Sequence, residues 1–201
     1  VDIGAKPLAG HPGELVTEWL DGLRGLEEYL AMGARFAKWR GVLKIDARLP
    51  GSACIAANAH ALARCAALCQ EASLVPIVEP EVLMDVAHTL ARCADVTHSV
   101  LHRVFEQLDE QGVMLEGMIL KPNMVLPGLD CPVQDGIEAV ADATLACLLR
   151  SVPAAVAGIA FLSGGQTGEL ASARLNAMHR AQADGLPLQP WPLTFSFARA
   201  L

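Results

Sequence analysis

Short apolar segments alternate with longer helical ones from about residue 15 to the end of the 201-residue chain, and a charged or hydroxyl side chain stands near the end of each apolar segment. These two observations predict an α/β fold, a (β/α)8 TIM barrel, present here as a partial barrel of about five parallel strands with flanking helices. A third observation separates a barrel from an open sheet. Lys38, Glu79, Lys121, Ser163 and Arg199 fall one to each successive strand-helix unit. In a barrel the loops after all the strands share one mouth, whereas a doubly wound sheet scatters such groups to both sides of a crevice. A single domain over 1–201 is expected.

The elements follow in order from pattern and punctuation. Residues 15–33 read as a first helix, 36–45 as a strand, and the Ala-rich stretch 52–72 as a helix with Ser52 as its cap. A strand at 74–79 precedes a long helix over 85–111, which Gly112 closes. The apolar run 118–125 reads as the next strand, and a helix over 135–151 is ended by Pro153. The last units are a strand at 157–162, a helix at 166–183 and a strand at 191–197. Gly10, Pro12 and Gly13 mark an opening loop, not a linker between domains.

Composition removes several function classes. The chain is 53% apolar and 18% charged, which provides a large core and excludes disorder. Its net charge of -7, with Lys and Arg forming no stripe, argues against nucleic acid as a partner. Its six cysteines form no Cys-x-x-Cys pair and lie mostly in apolar helical stretches, so reduced core thiols are expected and a metal site is not. No apolar run reaches the roughly 18 residues of a membrane span. The first residues lack a basic-then-apolar leader pattern, and a soluble cytoplasmic protein is expected.

Lys121 carries the chemical reading, because it interrupts the apolar run 118–125. Burial disfavours an ammonium and favours the neutral amine that attacks carbonyls. Residues two apart on a strand share a face, so Lys38 with Arg40, Glu79 with Glu81, and Lys121 with Asn123 are expected to point together. A carboxyl beside a reactive amine is what iminium formation needs, since water must leave the carbinolamine with proton transfer. Lys38 and Arg40 either pair with the two glutamates or add positive charge that attracts an anion. Gly164 and Gly165, after Ser163, join a strand to a helix in a setting where free N–H groups cradle phosphate, and Arg199 supplies a cation on the adjacent unit.

Five runs carry a resemblance to a known family. They are Phe36-Ala37-Lys38-Trp39-Arg40 with Val42-Leu43-Lys44-Ile45, Val75-Pro76-Ile77-Val78-Glu79-Pro80-Glu81, Leu120-Lys121-Pro122-Asn123-Met124-Val125, Phe161-Leu162-Ser163-Gly164-Gly165-Gln166, and Leu193-Thr194-Phe195-Ser196. In that order the chain resembles class I fructose-bisphosphate aldolase, the metal-independent, cofactor-free Schiff-base lyase of glycolysis and gluconeogenesis. The resemblance implies that Lys121 is the Schiff-base lysine, Glu79 the general acid/base, and Glu81 the carboxylate that orders the charges around the amine. It implies Lys38 at the hydroxyls near the cleaved bond, Arg40 supporting a substrate phosphate, and Ser163, Gly164, Gly165 and Arg199 around the ketose-side phosphate. It also implies a phosphorylated sugar substrate and a homotetramer.

Departures from the family pattern set further expectations. Val1-Asp2 resembles the residues directly after a family lysine on the third strand, so that lysine, the first strands with their aspartate, and a C-terminal tail are expected to be missing here. Ala198 stands where the family usually has Gly, and Phe197 where it has Tyr. Five strands of eight leave open sheet edges, so these residues alone are expected to be poorly soluble or inactive. A non-catalytic pseudoenzyme or structural subunit of the same fold, and a Schiff-base aldolase acting on unphosphorylated sugars, are the alternative readings.

Overall fold

The computed structural model describes residues 1–23, 25–183 and 189–197. Five strands, β3 (Phe36–Leu43), β4 (Val75–Val82), β5 (Ile119–Leu120), β6 (Gly158–Phe161) and β7 (Leu193–Phe195), form one parallel sheet in the order of the sequence. No strand is skipped, as a barrel wall requires and a doubly wound sheet with its reversal of order does not. Helices α2 (Ser52–Glu71), α3 (Leu90–Glu110), α4 (Ile137–Ser151) and α5 (Gly168–Ala183) connect consecutive strands and pack on one another in sequence.

Alternation along β3 and β4 sorts their side chains to two faces. Ala37, Trp39, Gly41 and Leu43, with Pro76, Val78, Pro80 and Val82, are buried on the face that the helices cover. There the core gathers Trp39, Leu62, Leu101, Leu108, Leu120, Leu148 and Phe161, each 1% exposed or less. The opposite face carries Phe36, Lys38 and Arg40 beside Val75, Ile77, Glu79 and Glu81. It is apolar toward the start of the strands and ionic toward their carboxyl ends.

β5 is short for a reason that the sequence of β4 supplies. Lys121 donates its N–H to the Val78 carbonyl at 2.8 Å, and the next rung of a parallel ladder would need an N–H from residue 80. Pro80 has none. The Asn123 side chain takes over, accepting the Val82 N–H at 3.1 Å and donating to Thr97 Oγ1 at 3.2 Å. Asn123 is therefore a buried structural bridge and does not share the open face with Lys121, as strand alternation had suggested.

Three further expectations need correction. Residues 15–33 are not one helix: Leu15–Thr17 (β2) pairs antiparallel with Ala5–Pro7 (β1), a 3-10 turn covers Leu20–Gly22, and only Leu26–Ala31 (α1) is α-helical. Asn58 and Cys54 on α2 donate to the Leu15 carbonyl, and Thr17 Oγ1 donates to the Arg40 carbonyl, so tertiary partners for extended backbone outweigh local helical pattern. Ser52 is the first residue of α2, not its cap. Gly51 holds that position, and its N–H is taken by the buried Glu14 carboxylate at 2.5 Å. Finally, α2 is long and apolar enough to cross a membrane by length and composition, contrary to the count of apolar runs. Its buried side is nevertheless packed against β3, β4 and α3, the place of a core helix. All six cysteines are free and buried.

Candidate active site

A cavity of about 250 Å³ opens at the carboxyl ends of the strands and gathers residues from all five strand-helix units. Glu79 stands at its centre. Its Oε1 lies 3.1 Å from Lys121 Nζ and its Oε2 lies 2.8 Å from Lys38 Nζ, so each carboxylate oxygen faces one amine. Glu79 is 4% exposed and Lys121 9%, whereas the Lys38 side chain is 37% exposed and also reaches within 3.9 Å of Asp2. The register explains the contact. Arg40 is level with Glu79, which places Lys38 one side-chain step below it on the same face.

Glu81 pairs with Arg40, Oε2 to Nη1 at 3.1 Å, instead of meeting the Lys121 amine directly. Burial pushes the Glu81 carboxyl above the usual carboxylate range, Arg40 opposes that rise, and the neighbouring Glu79 charge adds to it. The Arg40 side chain is 44% exposed, so its head can turn toward a ligand in the cavity.

Across the cavity, Ser163, Gly164 and Gly165 follow β6. Gly164 and Gly165 have φ of 59° and 83°, a conformation that glycine adopts without strain and that turns successive N–H groups one way. The loop runs into α5, where the Thr167 hydroxyl accepts the Leu170 N–H, so the positive end of that helix lies just beyond it. Leu162 and Ser196 complete the lining. Ser196 directly follows the last strand, its N–H bonded to the Phe161 carbonyl at 2.9 Å; it is the hydroxyl at the end of the unit that was read only for Arg199. Arg199 and Ala198 lie outside the described residues.

A model of the glycolytic, class I fructose-bisphosphate aldolase family matches residues 1–201. The chain belongs to the class I fructose-bisphosphate aldolase family. It is 57% identical to a probable class 1 fructose-bisphosphate aldolase of Xanthomonas axonopodis pv. citri, over all of this chain and 59% of that protein. It is 52% identical to the cytosolic fructose-bisphosphate aldolase 5 of Arabidopsis thaliana, again over the whole chain and 55% of the relative. The fold agrees: a Plasmodium falciparum fructose-bisphosphate aldolase, solved with TRAP and a small-molecule inhibitor, superposes with a TM-score of 0.95 at 46% identity, over all of this chain and 57% of that one. The chain thus spans little more than half the length of these aldolases, and its sheet is five strands of a TIM-barrel wall.

Proposed function

We propose that the cavity performs the reversible aldol cleavage of fructose 1,6-bisphosphate to dihydroxyacetone phosphate and glyceraldehyde 3-phosphate through a Schiff base on Lys121. The reading rests on one observation above the others: a nearly buried amine 3.1 Å from a buried carboxylate that a second amine holds from its other side. Glu79 takes a proton from the Lys121 ammonium, and the free amine adds to the C2 ketone to give a carbinolamine. The carboxyl then returns the proton to the departing hydroxyl, water leaves, and the iminium forms.

Glu79, again a carboxylate, removes the C4 hydroxyl proton. The C3–C4 electron pair moves to the iminium nitrogen, which leaves an enamine and releases glyceraldehyde 3-phosphate. Protonation at C3 restores the iminium, and one water hydrolyses it to free dihydroxyacetone phosphate and the amine. Water lost in the first half returns in the second, so the net reaction is cleavage alone. Lys38 lies where it can hold the hydroxyls beside the cleaved bond, and Arg40, on leaving Glu81, can meet a phosphate. Ser163, Gly164 and Gly165 offer their backbone N–H groups to the other phosphate, with Arg199 assigned there by family pattern alone.

Borohydride reduction of the native protein with dihydroxyacetone phosphate, followed by peptide mass mapping, tests the mechanism. The adduct is expected on Lys121; label on another residue, or none, defeats it. Activity is expected to survive EDTA. We also infer a cytoplasmic homotetramer from family membership, to be checked by light scattering and fractionation.

A further inference from the structure

Arg174, on the inner side of α5, is 5% exposed, yet it makes no ion pair among the described residues. Its Nη1 donates to Gln166 Oε1 at 2.8 Å, its Nη2 approaches the Asp135 carbonyl at 3.5 Å, and its Nε is buried without a partner among the described residues. A guanidinium is strongly disfavoured in such surroundings unless something nearby supplies negative charge. Burial lowers its proton affinity, and the Asp135 charge only partly opposes that.

The other end of Gln166 explains what the arginine supports. Gln166 Nε2 donates to the Ser163 carbonyl at 2.8 Å and touches Met124 Sδ at 3.7 Å, while the Gln166 N–H bonds the same Ser163 carbonyl at 3.1 Å. The amide closes the Ser163–Gly165 turn from behind, and Met124 lies three residues past Lys121. The amide is pinned with its oxygen toward Arg174, because only its nitrogen can donate to a carbonyl. Two hydrogen bonds therefore connect the buried cation to the loop that lines the cavity.

We infer that Arg174 is a positioning residue for phosphate: acting through Gln166, it fixes the Ser163–Gly165 loop, and its charge, only partly balanced by Asp135, is answered by a phosphate dianion bound on that loop. This rests on the proposed aldol function for the ligand, and on the described contacts for the device. A lysine at 174 would keep the charge but could not fork between Gln166 Oε1 and the Asp135 carbonyl.

The test compares the native protein with Arg174→Lys and Arg174→Met. Borohydride trapping on Lys121 is titrated with dihydroxyacetone phosphate and with unphosphorylated dihydroxyacetone. Arg174→Met is expected to raise the half-saturating concentration of the phosphorylated ketone at least about tenfold, and Arg174→Lys by a smaller factor. Dihydroxyacetone should stay within about twofold of native in both, a split that a merely structural residue does not give. Equal loss with both ketones, including loss through unfolding, or no change with either, overturns the inference. If the native protein traps neither ketone, the Schiff-base reading fails separately. Calorimetric titration with inorganic phosphate then decides the inference: weaker binding in Arg174→Met sustains it, and unchanged binding overturns it.

Discussion

Lys121 stands at the point where the β4–β5 ladder stops, and Pro80 is the residue that stops it. Its backbone N–H is still fixed to Val78 while its side chain leaves the sheet toward Glu79. Replacing Lys121 with Arg keeps a cation beside Glu79 but removes an amine able to lose its proton, so borohydride adducts and turnover should both vanish while thermal stability stays near native. Glu79→Gln keeps the shape and removes the proton acceptor; turnover is expected to fall by roughly 10²–10⁴, with adduct formation slowed in a rapid-quench assay. At this scale the sequence was legible where chemistry contradicted its surroundings, as Lys121 and Glu79 do in apolar strands. It was not legible for Asn123, because strict alternation assumes a regular strand, and Pro80 ends the β4–β5 ladder just past the Lys121 N–H. Arg174 was invisible for another reason: on a helix an arginine reads as solvated surface, and only tertiary packing buries it.

Elements were legible in proportion to how much their own sequence decides them. α3 is an example, with an apolar stripe ending in Leu108 and a closing Gly112 at φ 66°, although its start is Leu90 and not residue 85. Thr89 caps it by accepting the Arg92 N–H at 3.2 Å. Thr89→Ala should therefore lower unfolding free energy by about 1 kcal/mol, measured by urea denaturation, while adduct formation on Lys121 persists. The opening segment behaves oppositely. Its helical pattern yields to the β1–β2 hairpin because α2 and β3 supply partners for extended backbone there, information absent from the segment itself. The same logic moves the cap of α2 from Ser52 to Gly51, whose N–H is held by Glu14, 37 positions away in the chain.

At the scale of the whole molecule, the loops beyond the strands are held by close crossings. Gly128 donates to the His88 carbonyl at 2.8 Å, and a Cβ on Gly128 would stand 1.5 Å from the Val86 carbonyl oxygen. Gly128→Ala must displace backbone, and a loss of at least about 2 kcal/mol in urea unfolding is expected. The segment crossed there carries His88, which is 7% exposed with neither ring nitrogen at hydrogen-bond geometry to a described residue. Burial pushes its proton affinity below the ordinary value; the Leu126 backbone offsets this only in part, and Arg92 adds to it. A histidine neutral in the fold but free to charge when unfolded gives stability that is complete above about pH 6.5 and is lost as pH falls toward its depressed folded value. Glu81, raised by burial, has the opposite slope, since its contribution is complete below the ordinary carboxylate value and fades as pH rises through its raised folded value. The two oppose one another in mildly acid solution, so the native pH profile alone cannot separate them. The difference between native protein and His88→Gln can, because every other group titrates in both. Urea midpoints measured from pH 7.5 to 5 should converge as pH falls, the native protein losing an advantage that the glutamine variant never had. Parallel midpoints over that range would mean that His88 is as free to charge in the fold as in the unfolded chain.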